Sequence, residues 1–588
     1  MGVNIFKPIS PPLSLQEVET YQRTIVAEYI FILIAIDVVT EKRLTITYRR
    51  QIVRRFASQS CQAGHRQDRT KVSLDIPLGV DRVVRYKKYS SGLDIFSLVY
   101  SYLRSMLRYT DHSIMRTYRC WLLALGMALC SVGMAQNVSA DIDRLMNDAL
   151  LTTADASVAV YDLTDDAMLY SHRADKLCRP ASVQKVLTTV TALNRLGTDY
   201  TLDTELYITG VLGPDSILQG DLYVVGGFDS EFTSADMDRL IATIPTIGIR
   251  SITGSIVADI SMADTTYWGS GWCWDDAPAA FQPYYSPLMI DKGCVEVTVT
   301  PTTAGAAASV TCTPASSWYE IDNHTVCHDE TAGPLRITRD WKHGSNRIIV
   351  SGNVERSHSK KLSLFTSDRH FFVLFTERYL RSGLGATDFR YGVRPNEARL
   401  VAIMQRPIVE VVEQALKKSD NLSAEALFYH TAAANGKPYA SATDAVMVTD
   451  SLLQTLYSSY GNQKGGIYPH KTVDGSGLSN YNMMSAHMLL DVLRYAYHHP
   501  NIYDIISKAL PHSGVDGTLK GRMGTSSMRG RIVAKTGSMT GVSTLAGYAH
   551  ASNGHVLAFV IMNQNVPKLS QARTWQDKVC RAICGISQ

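Results

Sequence analysis

A chain of 588 residues is too long for one ordinary hydrophobic core, so two or more domains are expected. Its composition, 45% hydrophobic and 19% charged with no low-complexity tract, is that of a folded globular protein and excludes a disordered or fibrous class. The net charge of +4 comes from the first 114 residues, where 17 Lys+Arg face 10 Asp+Glu; residues 136–588 carry 39 against 44, a mildly acidic balance that argues against nucleic-acid binding.

Residues 1–114 hold one apolar run, Val26 to Val39, which is short for a membrane anchor and interrupted by Asp37. The basic stretch around Arg49, Arg50, Arg54 and Arg55 reads as incidental rather than as a binding arm. Met115 to Ala135 has a basic start at Arg116 and Arg119, an apolar run from Cys120 to Cys130, and small residues at Gly133 and Ala135. That is the pattern of a secretory signal peptide cut after Ala135. The expectation is that the natural start is Met115, that residues 1–114 are a non-native or disordered extension, and that the mature chain is exported to the periplasm or cell envelope with no stable membrane span.

In the mature chain, Ala156 to Tyr161 alternates like a strand, Asp162 to Asp166 supplies turn residues, and Met168 to Tyr170 returns as its partner. Pro180 to Leu193 follows, with Val183, Val186, Leu187, Val190 and Leu193 spaced to form one buried helix face. Ser182 stands where an N-cap would be, and Lys185 lies close to it around the first turn. The helix dipole favours negative charge on the serine oxygen, and a lysine against apolar surroundings is disfavoured as an ammonium. The pair therefore reads as a nucleophile beside its base. The same spacing at Ser357 to Lys360 lies in a polar run with no amphipathic helix behind it.

From Thr201 short strand-like runs take over: Leu202 to Leu212, Gly220 to Val225, Ser251 to Val257, Val295 to Val299 and Ile348 to Val350. They predict a strand-rich insert lasting to about Ser363. Helical patterns return at Asp368 to Leu380 and at Ile408 to Lys418, the second running into Ser419-Asp420-Asn421. Arg531 to Ser538 precedes a hairpin of Leu545 to Ala549 and Val556 to Met562, with Asn553-Gly554 at the turn. A final amphipathic helix is expected from about Gln571 to Ile583.

Three polar clusters thus stand in a fixed order: Ser182-x-x-Lys185, Ser419-Asp420-Asn421 and Lys535-Thr536-Gly537. Together they match the set found in penicillin-recognising serine enzymes. From about residue 140 to 580 the chain resembles the class C low-molecular-mass penicillin-binding proteins, which are serine-type D-Ala-D-Ala carboxypeptidases and endopeptidases. The likeness includes Gly220 to Gly227, Gly271 to Asp276, Asp474 to Ser479 and Gly514 to Leu519; it departs at Phe228, where a third glycine is usual.

The resemblance implies an α/β (α+β) fold, a β-lactamase/transpeptidase-like domain with an antiparallel sheet flanked by helices. One or two smaller strand-rich domains would interrupt it, giving a first part at 136–200, an insert at 201–363 and a second part at 364–588. It also implies the roles. Ser182 attacks the penultimate D-Ala carbonyl, Lys185 is the base, Ser419 relays a proton to the departing D-Ala, and Asn421 binds the peptide amide. Lys535 and Thr536 of the Lys535-Thr536-Gly537 strand meet the substrate carboxylate, and backbone N–H groups of Ser182 and Ser538 form the oxyanion hole. Asp259 aligns with an acidic residue that recognises the amine of the peptide's diamino acid. The implied partners are peptidoglycan stem peptides and β-lactams.

No Gly-x-Ser-x-Gly elbow is present, and His328-Asp329-Glu330 and His498-His499 lack metal-ligand spacing, so neither a metal nor a cofactor is called for. The rival readings are a β-lactamase-type hydrolase and a non-catalytic peptidoglycan-binding envelope protein. Intact Ser182, Lys185 and Lys535 argue against the second. Glu425, the last glutamate of the chain, falls about one helical turn beyond Asn421, with nothing to place it over an acyl bond. Seven cysteines follow Ala135; within the insert Cys312 and Cys327 form the nearest candidate pair, and Cys580 and Cys584 are expected to pack without bonding.

Overall fold

The computed structural model describes residues 138–586, apart from 435, 437 and 461–465; the N-terminal extension and the leader pattern at Met115 to Ala135 lie outside the described residues. A five-stranded antiparallel sheet draws on both ends of this region. Its spatial order is Ile532–Met539, Val542–His550, Val556–Gln564, Asp155–Asp162 and Ala167–His172. Its three inner strands are buried nearly throughout because both faces are covered.

The two-residue period sorts their side chains between two cores. Val158, Val160, Phe559 and Ile561 share a core with Trp575 and Val579 of the C-terminal helix Leu569–Ile583. Ala159, Tyr161, Val560 and Met562 share the other with Val186, Leu187 and Val190 of the helix Gln184–Leu196. Each valine, leucine, isoleucine, phenylalanine or methionine among them, fully buried, contributes roughly 1.5–3 kcal/mol. The helix Asn421–Ala433 is buried almost all round, as a central helix must be, and it packs on Gln184–Leu196. These two central helices bring Ser182 and Asn421 together.

The insert has its own five-stranded sheet, in the order Asp388–Tyr391, Ser255–Asp259, Leu222–Val225, Thr201–Ile208, Arg399–Pro407. The helices Ser234–Thr246 and Ser367–Arg381 share its core through Leu240, Ile244, Phe371 and Phe375. Nested in the same stretch are two three-stranded sheets around a separate core that includes Val297, Val350 and Leu362.

Two expectations need correction. The inserted sheet does not stop near Ser363: Arg399–Pro407 pairs antiparallel with Thr201–Ile208, with Pro407 opposite Thr201, so the chain enters and leaves side by side. The helix Ser367–Arg381 covers the inserted sheet, not the catalytic one: Phe371, Leu374 and Phe375 share a core with Leu206, Val224 and Ile256 of that sheet. Secondly, Cys312 and Cys327 are both free. They sit on strands of different sheets, Ser309–Thr313 and Glu320–Cys327, and the Cys327 sulfur instead accepts the Thr302 N–H at 3.2 Å. Cys580 and Cys584 are buried and unbonded, as their helical spacing predicts. Among the described residues no helix is long and apolar enough to cross a membrane.

Candidate active site

Ser182 lies in a short 3₁₀ turn, Ala181–Val183, ahead of the helix Gln184–Leu196. It is not the N-cap expected from sequence. Val183 occupies that position, and the Ser182 hydroxyl bonds no helix N–H but accepts from Lys185 Nζ at 3.1 Å. The turn is strained, with Ala181 at φ +50°, in the left-handed region that costs an alanine roughly 1–2 kcal/mol. Gly477 fits beneath it: a Cβ there would stand 2.0 Å from the Ala181 carbonyl oxygen, so only glycine allows the contact. Strain held by surrounding structure in this way is typical of reactive positions.

Lys185 is wholly buried, and its Nζ is matched by three acceptors. It donates to Asn421 Oδ1 at 2.7 Å, the Ser476 carbonyl at 2.7 Å and Ser182 Oγ. Burial pulls its pKa down to about 8, against the opposing charges of Asp474, Glu425 and Asp420. A lysine poised there is neutral often enough near neutral pH to take a proton from serine.

The second cluster follows a π turn, Gln414–Lys418, a distortion common at functional sites. It leaves Ser419 at φ +61°, after which Asp420 caps the next helix by accepting the Ser423 N–H at 2.8 Å. Lys535 Nζ donates to Ser419 Oγ at 2.7 Å. It too is fully buried, and burial, helped by the nearby Lys185 charge, holds it well below the ordinary lysine range. Asn421 Nδ2 donates to the carbonyl of Phe281, which brings a loop of the insert to the site.

On the strand Ile532–Met539, Thr536 Oγ1 donates to Thr518 Oγ1 at 2.7 Å, and Ser538 Oγ accepts from Arg573 at 3.1 Å. Gly537 keeps the strand bare where it passes the nucleophile; a Cβ there would meet Ser182 N at 2.9 Å. The structure therefore gathers Ser182, Lys185, Ser419, Asn421, Lys535, Thr536, Gly537 and Ser538 around one place.

Asp259 is not bonded into that cluster. Its two oxygens accept the backbone N–H groups of Ser261 (2.9 Å) and Arg394 (2.6 Å). It lines a cavity of about 810 Å³ with Tyr267, Trp318, Asp368, Arg369 and Tyr391, which none of the clustered residues lines.

Sequence reasoning missed the Ser476 carbonyl, Phe281, Arg573 and the role of Glu425. A backbone carbonyl leaves no residue-type signal, and Phe281 and Arg573 reach the site from distant stretches. Glu425 accepts the N–H groups of Gly475 (3.1 Å) and Ser476 (2.8 Å), so it braces the Asp474–Gly477 turn rather than facing an acyl bond.

A transpeptidase-like fold with two buried lysines, a serine on each and an asparagine on the first defines a penicillin-recognising serine hydrolase. The chain belongs to the D-Ala-D-Ala carboxypeptidase 3 (S13) family, whose model matches residues 138–582. It is a serine-type D-Ala-D-Ala carboxypeptidase. It is 31% identical over 445 residues to the D-alanyl-D-alanine carboxypeptidase of Actinomadura sp. (strain R39), covering 72% of this chain and 80% of the relative. It is 26% identical over 448 residues to the D-alanyl-D-alanine carboxypeptidase DacB of Haemophilus influenzae, covering 74% and 91%. The fold matches the crystal structure of penicillin binding protein 4 from Haemophilus influenzae with a TM-score of 0.65 at 24% identity, over 74% of this chain and 97% of that one. That protein has also been solved in complex with a β-lactam.

Proposed function

We propose that this enzyme removes the terminal D-Ala from peptidoglycan stem peptides through an acyl-enzyme on Ser182, in the cell envelope after export, and that penicillins acylate the same oxygen. The observation that carries the reading is Lys185 Nζ, buried and held within 3.1 Å of Ser182 Oγ.

Neutral Lys185 takes the Ser182 proton as Oγ bonds to the penultimate D-Ala carbonyl carbon. Backbone N–H groups of Ser182 and Ser538 receive the developing oxyanion, an interaction worth ~10²–10³ in rate. The C–N bond then breaks, and the proton reaches the departing D-Ala nitrogen through Ser419, which sits 2.7 Å from Lys535 Nζ. Lys535 and Thr536 meet the terminal carboxylate, with Arg573 a second cation beside Ser538. Asn421 holds Lys185 through its oxygen, and its amide nitrogen has a second proton for the peptide. Water then attacks the ester and restores Ser182. Asp259 is assigned to recognition of more distant parts of the stem peptide, through the cavity it lines.

The test is incubation of the protein with a muropeptide pentapeptide and with a crosslinked dimer, followed by mass analysis. Loss of one alanine mass from the pentapeptide supports carboxypeptidase action, and conversion of dimer to monomers adds endopeptidase action. Two unchanged substrates would defeat the reading.

A further inference from the structure

Glu425 is wholly buried one turn into the helix Asn421–Ala433. Its carboxylate grips two successive N–H groups, those of Gly475 and Ser476. The adjoining N–H, of Gly477, is accepted by Asp474 Oδ1 at 2.8 Å. The peptide planes on both sides of Ser476 are thereby fixed, and the Ser476 carbonyl is aimed at Lys185 Nζ. The same turn meets the nucleophile helix twice more, where Thr188 Oγ1 donates to the Gly475 carbonyl at 2.6 Å and Gln184 Nε2 to that of Asp474 at 3.2 Å.

We infer that Glu425 is a positioning residue for the reaction: through the Asp474–Gly477 turn it orients the base Lys185 and supplies part of the negative field around its amine. The inference rests on the reading of Lys185 as the base. Lys185 is faced by Asp474 from the turn, Glu425 from the helix, Asp420 from its cap, Lys535 from the strand and Ser182 from its own turn. Glu425 is faced in addition by Tyr285 and Tyr429. Burial and the neighbouring Asp474 push the Glu425 carboxyl up, against the Gly475 and Ser476 N–H groups that hold its charge, while burial pulls Lys185 down to about 8.

The direction follows. A carboxylate at 425 favours the ammonium form of Lys185, so Glu425→Gln makes Lys185 neutral at lower pH. Glutamine also has one acceptor oxygen where two N–H groups need acceptors, so the turn loosens.

The experiment measures acylation by a fluorescent penicillin, and kcat and KM for a D-Ala-D-Ala pentapeptide, from pH 5 to 10. It compares the mature enzyme with Glu425→Gln, Glu425→Asp and Lys185→Ala. Glu425→Gln should lower kcat on the order of tenfold to a hundredfold with little change in KM, and move the acid limb of the profile to lower pH. Glu425→Asp restores the charge but not the reach, so its acid limb should return while kcat stays low. A folded Glu425→Gln with wild-type kcat and profile overturns the inference; where that variant does not fold, wild-type kcat in Glu425→Asp does so. Acylation that survives Lys185→Ala instead defeats the reading of the base, which separates the two failures.

Discussion

Lys292 Nζ lies 3.2 Å from Asp420 Oδ1, so a side chain of the insert grips the middle residue of the Ser419-Asp420-Asn421 motif. The same ammonium is 2.6 Å from Glu231 Oε1, and Ser423 Oγ bridges Glu231 and Asp420 at 2.8 and 2.6 Å. Burial works against charge on Asp420, but Lys292 and the Ser423 hydrogen bonds outweigh it and hold the carboxyl below its ordinary value. Lys292 takes up φ +60°, a conformation this network keeps in place.

Lys292→Met leaves Glu231 and Asp420 facing each other without a cation. Because the cluster is partly open to solvent, the expected loss is about 2 kcal/mol, below the ~3–5 kcal/mol of a fully buried pair. Urea unfolding should show that loss, and penicillin acylation should slow with it as Ser419 and Asn421 lose register. Wild-type acylation in the variant would mean that the motif holds its shape alone.

Ser182→Ala should abolish both D-Ala release and penicillin labelling while leaving the far-UV circular dichroism unchanged, since one half-buried oxygen is removed from a turn that it does not cap. Lys535→Ala should weaken turnover of substrates bearing a free carboxylate. Labelling that persists in Ser182→Ala would identify a different nucleophile.

His430 is buried, with Nε2 2.7 Å from the Gly227 carbonyl and Nδ1 3.0 Å from Tyr200 Oη, and burial pulls its pKa down to about 4. Its unfolded value is near 6.5, so between pH 6.5 and 4 the unfolded chain binds a proton that the folded chain refuses. Stability from this group is present above 6.5 and is lost as pH falls through that window. The advantage of wild type over His430→Gln should shrink by about 1.4 kcal/mol per pH unit, read from urea midpoints at pH 7 and 5. A gap that stays constant would show equal protonation in both states.

Fast hydrolysis of a penicilloyl ester needs a base aimed at the water above it. The last glutamate of the chain, Glu425, has both oxygens engaged by backbone N–H groups. Penicillin should therefore leave slowly, as an inhibitor. Single-turnover release of a fluorescent penicillin should take far longer than a second at neutral pH; release within a second would reassign the enzyme as a β-lactamase.

The reactive groups were legible because each sits in a short motif whose residue types carry the chemistry: Ser182 with Lys185, Ser419 with Asn421, Lys535 with Thr536. The sheet was legible where strands are buried on one or both faces, as at Val542–His550 and Val556–Gln564. The end of the insert was not. Arg399–Pro407 is half exposed, and its partner Thr201–Ile208 lies some two hundred residues earlier. The role of Glu425 is hidden in the same way, because the N–H groups it holds are 50 and 51 residues further along the chain. Lys292 gives no local sign of Asp420.

The strand Asp155–Asp162 lies between Ala167–His172 and Val556–Gln564, a partner made some four hundred residues later. A chain synthesised from its N-terminus thus presents Ser182 early, with an open apolar strand edge beside it and neither Asn421 nor Lys535 in existence. The order of synthesis acts as a safety catch: the nucleophile is made first and armed last. A product cut short before Gln564 carries the serine but an unclosed sheet, and such an edge is a template for aggregation rather than for catalysis.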